Sequence, residues 1–519
     1  MLVRLFSWAA ALLVAGCAML PPAEPLAASQ SLTDVGHTRL AGIARAGAPD
    51  AAAPLSGFRL LPEGPTAFNA RIALARNAEL SIDAQYYVVD ADPVSLLFLG
   101  ELVAAARRGV RVRLLVDGFH LAGKDELFAM MAREPRLELR VFNPLSAGHG
   151  PLGLRLLLSL HEFDRINRRM HNKLLVADNS LAIAGGRNIS ADYFMHGDMA
   201  NYVDMDVLAS GPIVRELSAT FDDYWNSRQV WPIGQLRQLP REEPAATAKR
   251  LDDALSRSVK SVEERDVDAL GNVPVGRELA AGRLSQVWAA SRAYADLPEK
   301  ITLEGDDAAF EGSVTQATIA ILSSARSDLT LISPYFVPGN KGLALIQESA
   351  ARGVHFLVLT NSLEATDSTL VHRAYARYRE AMLRAGVEIY ELGARLAARD
   401  GRIGDFGSSF ARLHAKVSVI DHDRLVMGSM NLDGRSARLN TELGLLIESH
   451  ELAAQFESLA PIRAMSAYAV RLNEQSGSIE WVEHSRDGSA KVLPEEPGTN
   501  WGLRLKDWLL RPFVPEAAL

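Results

Sequence analysis

The chain of 519 residues holds one cysteine, so no disulfide can form within it. Aromatic side chains are sparse at 7%, and the 23% charged against 48% hydrophobic residues is the balance of a packed protein, which excludes disorder and a polytopic membrane protein. Basic residues are outnumbered 55 to 63, giving a formal net charge of −8. A dedicated nucleic-acid binder needs a basic surface, so no nucleic-acid partner is expected. No HExxH, EF-hand loop or Cys/His ligand cluster is present, and the reading needs neither a metal nor any other cofactor.

The single cysteine, Cys17, is informative by position. Arg4 supplies a positive start, Leu5 to Ala15 is almost wholly apolar, and Ala15 and Gly16 are small. That run is too short to span a bilayer. Leu13-Val14-Ala15-Gly16-Cys17 resembles a bacterial lipoprotein signal, in which the cysteine is acylated and heads the mature chain; a plain secretory peptide is the alternative, and both predict export. The expected organisation is a signal peptide over 1–16, then the lipidated Cys17 and an Ala/Pro/Ser-rich flexible tether over 17–57. A first folded domain follows over 58–230 and a charged, mainly helical connecting insertion over 231–300. A second domain with a C-terminal tail takes 301–519.

The two domains are an internal repeat. Leu80-Ser81-Ile82-Asp83-Ala84-Gln85-Tyr86-Tyr87 followed by Arg108-Gly109-Val110 recurs as Leu329-Thr330-Leu331-Ile332-Ser333-Pro334-Tyr335-Phe336 followed by Arg352-Gly353-Val354. HNKLLVADNSLAIAGGRN from position 171 matches HAKVSVIDHDRLVMGSMN from position 414 without a gap. Helical patterns at 96–108 and 343–352 alternate with β-rich runs at 110–116 and 355–359, which predicts an α/β layered unit in each half and a site shared between them.

The matched segments carry the chemistry. On a strand, His171 and Lys173, and likewise His414 and Lys416, fall on one face and can converge on one target. Downstream, Gly186 and Asn188 in one copy and Ser429 and Asn431 in the other offer close backbone approach, side-chain amides and a hydroxyl to a phosphate. Two imidazoles, two ammonium groups and two amides suit a phosphodiester. The cations neutralise the non-bridging oxygens, one neutral histidine attacks phosphorus, and the other, protonated, gives a proton to the leaving oxygen and then serves as base for the incoming hydroxyl.

The carboxylates divide by parity. Asp178 and Asp421 complete the repeated motif but lie seven residues after their histidines, an odd number, which puts them in the turn or on the opposite face and makes them turn-fixing residues. Asp204 and Glu442, each in a later strand of its half, are better placed to orient an imidazole through its remote nitrogen.

His171, Lys173 and Asp178 with His414, Lys416 and Asp421 resemble the duplicated HxKxxxxD signature of the phospholipase D superfamily, and RRMHNKLLVADNSLAIAGGRNISADYF and ISPYFVPG are similar to the bacterial cardiolipin synthase C group. The resemblance implies two α/β/α sandwich halves related by a pseudo-twofold axis, with the active site at their interface. It implies His171 as nucleophile and His414 as acid. Because both half-sites lie in one chain, a monomer is expected, acting on phospholipid substrates at a membrane surface; a helper protein is not specified. The activity implied is phosphatidyl transfer through a phosphohistidine, making cardiolipin from phosphatidylglycerol and a second phospholipid. Hydrolysis to phosphatidic acid is the nearest alternative, and an extracytoplasmic nuclease or an inactive lipid-binding scaffold ranks below. Ala18 after the cysteine lacks the Asp that commonly retains lipoproteins at the inner membrane, which implies the periplasmic face of the outer membrane. Arg165, Arg168 and Arg169 are read either as head-group contacts or as a solvated cluster. His372 and Tyr375 are read as an acceptor-alcohol site by resemblance, or as a packed or solvated helix face. Trp501, Leu505, Trp508, Leu509, Leu510 and Phe513 are read as core packing in preference to a membrane contact.

Overall fold

A computed structural model describes residues 20–21, 26–50, 54–146, 150–237, 239, 241–398, 409–465, 467–484 and 490–499. Among them, eighteen strands form one continuous mixed sheet whose order reads nearly the same from either end. From its outer edge the first half runs Val230–Pro232, Leu137–Phe142, Arg111–Asp117, Ser81–Tyr86, Leu174–Ala177, Leu181–Gly185, Asp206–Ser210 and Ser56–Leu61. The second half repeats that order outward from the centre: Val287–Ala295, Leu443–Glu448, Arg424–Gly428, Val417–Ile420, Asp328–Ile332, His355–Asn361, Glu388–Leu392 and Ala467–Leu472. Two further strands, Ile479–His484 and Ala490–Leu493, extend only the second half. The halves join at an antiparallel seam in which Ser56, Gly57 and Phe58 pair with Ala289, Trp288 and Val287. A pseudo-twofold axis runs through that seam.

Each half builds its parallel strands around a crossover helix, as the repeated pattern predicts. In the first, Asp92 caps the Pro93–Arg107 helix by accepting from the Val94 and Ser95 amides at 2.9 Å. Val94, Leu96, Phe98, Leu99, Leu102 and Val103 face the core. The helix ends where Gly109 takes φ +99°, a turn that a side chain resists, and the chain re-enters the sheet at Arg111. The second half does the same with Gly339–Ala351 and Gly353 at φ +90°. One apolar cluster, including Phe58, Leu60, Val207, Leu217, Phe221 and Trp225 from the first half and Leu443, Leu445, Ile447 and Phe456 from the second, crosses the seam. It binds the halves into one body.

The expected boundaries need revision in three places. The tether reading fails at Arg39–Ala46, a helix capped by Thr38 that buries Leu40 and Ile43 against the first half. Upstream of it, Ser29 and Ser31 bond Asn226 and Asp222. An Ala-rich composition hid a short amphipathic pattern. The 231–300 stretch is not a separate insertion: Leu251, Val262, Val275 and Leu279 complete the first half's core, and Val287–Ala295 is a central strand, the counterpart of Ser56–Leu61. Its helices, Pro244–Leu255 and Val275–Ala280, fit the helical reading, but the second structural unit starts near Val287. The residues expected as signal peptide, Cys17 itself, and the aromatic C-terminus from Trp501 lie outside the described residues. Among the described residues, no helix is long and apolar enough to cross a membrane.

Candidate active site

His171 and Lys173 sit in an extended run just before the Leu174–Ala177 strand, and His414 and Lys416 just before Val417–Ile420. The pairs therefore precede their strands instead of lying within them, while keeping the same-face alternation. What holds those runs is the opposite half. Met170 forms a parallel bridge with Thr441, and the His171 amide donates to the Thr441 carbonyl at 2.9 Å. By the same pattern Phe410–Leu413 pairs in parallel with Ala200–Val203, and the His414 amide donates to the Val203 carbonyl at 2.7 Å. The residue after each of these partners is a carboxylate. The partners therefore deliver Glu442 to His171 and Asp204 to His414.

His171 Nδ1 lies 2.9 Å from Glu442 Oε2, and His414 Nδ1 lies 2.6 Å from Asp204 Oδ2. Each bond fixes the tautomer with the proton on Nδ1 and leaves Nε2 as the reactive atom. Glu442 also accepts from Ser429 Oγ at 2.5 Å and Ser436 Oγ at 2.8 Å. Asp204 accepts from the Met205 amide at 2.8 Å. Burial, reinforced by the lysines, pushes both imidazoles down to about 4, so both are neutral at neutral pH. Glu442 and Asp204, beside their histidines and lysines, are held below the usual carboxylate range despite their burial. Lys173 and Lys416 donate to the carbonyls of His171 and His414, both at 2.5 Å. Burial lowers Lys173 to about 7 and Lys416 to about 8. Each lysine's charge bears on the other half's histidine, so the four side chains share one site.

Aromatic rings wall the two imidazoles differently. Tyr87 meets His171 edge-on at 5.3 Å between centroids. His414 lies between Tyr193 at 5.0 Å and Tyr202 at 5.1 Å, and the Tyr193 hydroxyl is 3.4 Å from its Nε2. Tyr87 also contacts His120, which burial and the nearby Lys124 lower to about 4.

The remaining expected site residues fall into other roles. Asp178 and Asp421, the last residues of the repeated motif, do not join the imidazoles. Both occupy hairpin turns with positive φ, 49° and 52°. Asp178 accepts from the amides of Glu79, Leu80 and Ser81, and Asp421 from those of Arg326, Ser327 and Asp328. These are the contacts of turn-fixing residues, and they hold Asp178 and Asp421, which the repeated motif groups with the catalytic set, away from the imidazoles. The phosphate-contact readings also change. A Cβ on Gly186 would come within 2.1 Å of Asp204 Oδ1, so the glycine makes room for that carboxylate. The matching Ser429 spends its hydroxyl on Glu442. Asn188 is engaged at both ends, accepting from the Val88 amide at 3.1 Å and donating to the Tyr193 hydroxyl at 2.9 Å. Asn431 keeps a buried side-chain oxygen without a hydrogen-bond partner among the described residues. Arg169 is buried on Asp117 and the Asn143 carbonyl, and Arg165 pairs with Glu162, so neither is a free head-group contact. His372 and Tyr375 face away from solvent, on Glu496 and Glu391 within a network that includes Arg379. The packed-face reading is the one observed.

Sequence reasoning missed Asp117 and Asn361. They end equivalent strands, and both grip the residue before a histidine of the repeated motif: Asp117 accepts from the Met170 amide at 3.0 Å, while Asn361 bonds both the amide and the carbonyl of Leu413 at 2.9 Å. The signal was available, because both follow the repeated Arg-Gly-Val and its strand at the same spacing.

The sequence profile described as "Cardiolipin synthase, PLD-like domain" matches residues 72–225 and 318–460, one stretch in each half. The chain belongs to this phospholipase D-like family. Its members are phosphatidyltransferases and phosphodiesterases, and the two-half fold found here is theirs. The chain is 37% identical over 457 residues to "Cardiolipin synthase C" of Escherichia coli (strain K12), covering 86% of this chain and 93% of that one. It is 24% identical over 418 residues to "Cardiolipin synthase 1" of Bacillus anthracis, covering 78% and 67%. A crystal structure of phosphatidylserine synthase from Haemophilus influenzae Rd KW20 shares the fold at 14% identity, with a TM-score of 0.57 over 90% of this chain and 98% of that one.

Proposed function

We propose that the protein transfers a phosphatidyl group between phospholipids through a phosphohistidine, with cardiolipin as the product of phosphatidylglycerol and a second phospholipid. The observation that carries this reading is the pair of neutral imidazoles, each held at Nδ1 by a carboxylate of the opposite half and accompanied by a buried lysine. His171 Nε2 attacks phosphorus and the P–O bond to the first alcohol breaks. His414, protonated as the bound diester's negative charge raises its basicity, gives that proton to the leaving oxygen. The second alcohol then loses its proton to His414, its oxygen bonds phosphorus, and the P–N bond to His171 breaks. Lys173 and Lys416 offset charge on the non-bridging oxygens throughout. The Tyr193 hydroxyl lies 3.4 Å from His414 Nε2, so a hydroxyl oxygen can approach that nitrogen, which supports the acid role for His414. The similarity to proteins described as cardiolipin synthases supports the choice of lipid.

The same reading places the protein on the periplasmic face of the outer membrane, exported and held there through an acylated Cys17. The test is to incubate the purified protein, beside His171→Ala and His414→Ala variants, with phosphatidylglycerol, with and without phosphatidylethanolamine, and to follow lipids by mass spectrometry. Cardiolipin that disappears in both variants is expected. Phosphatidic acid alone would make the protein a hydrolase, and no histidine-dependent product would overturn the reading.

A further inference from the structure

The stretch leading into the first histidine is folded with its polarity reversed. The helix Leu152–Leu158 runs into a turn at Leu160–Glu162 and a short helix at Phe163–Ile166. Two of its polar residues, Arg155 and Ser159, face the protein, while His161 and Asp164 are exposed. Arg155 is 4% exposed, with Nε on the Gly150 carbonyl at 2.7 Å and Nη2 on Asp125 Oδ2 at 2.5 Å. Ser159 is fully buried and accepts from Ser146 Oγ at 3.0 Å. Its apolar residues face outward: Leu154 is 44% exposed, Leu157 63%, Leu160 54% and Phe163 56%. Spaced three apart on helical turns, they make one stripe. Of the nine exposed large hydrophobic residues among those described, four lie in these ten positions.

The buried polar groups have protein partners, so in water the unfavourable part of this arrangement is the four hydrated apolar side chains. It becomes favourable when the stripe leaves water for an apolar phase. The surrounding charge selects which phase. Residues 151–169 carry four arginines against one glutamate and one aspartate, in a chain whose formal net charge is −8. Arg155, Arg165 and Arg169 are paired with Asp125, Glu162 and Asp117, which leaves Arg168, half-buried on the Leu303 carbonyl with no carboxylate partner among the described residues, as the cation beside the stripe that can meet an anionic head group. The stripe is also rigidly joined to the site. Asn143 Nδ2 donates to the carbonyls of Arg165 and Arg168 at 2.9 and 2.7 Å, and Arg169 is locked to Asp117. His171 follows eight residues after Phe163.

We propose that Leu154, Leu157, Leu160 and Phe163 enter the apolar layer of a phospholipid leaflet and so hold the mouth of the site at the depth of the lipid phosphates. This rests on the phospholipid reading above and names the surface that serves it. A soluble chain could take up lipid one molecule at a time. A stripe mounted beside the nucleophile makes the bilayer itself the substrate.

The test uses the full chain carrying Cys17→Ser, so that neither an acyl anchor nor a second thiol contributes. An environment-sensitive fluorophore is attached at Leu157→Cys, or at Gln475→Cys on the exposed turn before Ile479–His484 as a control. Vesicles of phosphatidylglycerol and phosphatidylethanolamine should blue-shift the label at position 157 and leave that at 475 unchanged. In a second arm, Leu154→Ser, Leu157→Ser and Leu160→Ser should each weaken vesicle binding by about tenfold. Together they should lower turnover on vesicles by at least that factor, with turnover of monomeric short-chain phosphatidylglycerol and the melting temperature in buffer unchanged. No shift at 157, or an equal loss on both substrates, would overturn the proposal. A shift that grows with protein concentration without vesicles would assign the stripe to a second copy and equally overturn it. Should the wild type turn over neither lipid while the label still shifts, the proposed activity fails and the docking surface stands.

Discussion

His171 and Glu442 stand 271 residues apart in sequence and 2.9 Å apart in space, so the tautomer of the first half's histidine is set by the second half. Glu442→Gln keeps the shape and removes the charge. It should lower kcat by roughly 10³- to 10⁴-fold, the scale seen when a catalytic imidazole loses its orienting carboxylate. Steady-state turnover of a soluble phosphodiester, beside a melting curve close to wild type, checks this.

The pH profile should be displaced from that of ordinary histidine. In the free enzyme the attacking imidazole must be neutral and the lysines charged. With both imidazoles pushed down to about 4 in the free enzyme, kcat/KM, which needs His171 neutral and His414 protonated, should peak near pH 4, while kcat, read where the bound diester raises His414, should extend to an alkaline limb beginning near pH 7 as Lys173 loses its charge. A kcat/KM peak near 6.5 would contradict the burial account. Stability follows the same groups. The folded imidazoles hold protons less tightly than unfolded ones at about 6.5, so their contribution is complete above pH 6.5 and is lost as pH falls from there toward 4.

His171 and His414 should separate when the leaving group needs no acid. With an activated aryl phosphodiester, His414→Ala should still form the covalent intermediate and then stall, while His171→Ala forms none. Intact-mass measurement after brief mixing reads this directly. Label on the His414→Ala protein at His171, found by peptide mapping, is the expected result, and label in the His171→Ala protein would reverse the roles.

Gly186 and Ser429 occupy matching positions and should respond oppositely to exchange. Gly186→Ser places a Cβ within 2.1 Å of Asp204 Oδ1 and should cost about 10²-fold or more in kcat by displacing the carboxylate from His414. Ser429→Gly removes one of three donors to Glu442 and should cost about tenfold. Turnover of the two variants and of the double exchange tests the asymmetry.

Asp178 should behave as a structural residue. It is fully buried and accepts from three consecutive backbone amides, so Asp178→Ala leaves those donors unmet and should cost about 2 to 4 kcal/mol in stability. The protein that remains folded should keep near-normal kcat. Denaturant titration combined with active-site counting distinguishes this from a chemical role.

Much of this was legible in the sequence because the repeat is nearly exact where geometry matters most. Two copies of His-x-Lys at one offset picked out the pairs that meet carboxylates of the opposite half, and their odd spacing set Asp178 and Asp421 apart, in the turns. Asp204 and Glu442 were identifiable as orienting carboxylates, yet their crossing between halves was not, because it depends on parallel pairing of segments more than two hundred residues apart. Thr38, Leu40 and Ile43 show the opposite failure: three residues in an Ala-rich stretch suffice to dock a helix when the partner surface exists. The central strand Val287–Ala295 was hidden for a similar reason. Its neighbours are supplied by distant segments, and its own pattern, half-exposed and mixed in polarity, is weak.

The crossed carboxylates have a consequence for how such a chain can vary over time. A fragment holding everything before Val287 would carry Asp204 without His414, and the remainder would carry Glu442 without His171. Neither piece alone completes a histidine–carboxylate pair, because each keeps the orienting acid for an imidazole it lacks. Since Asp204 and Glu442 hold equivalent positions across the pseudo-twofold axis, a lone half could regain a pair only by facing a second copy of itself.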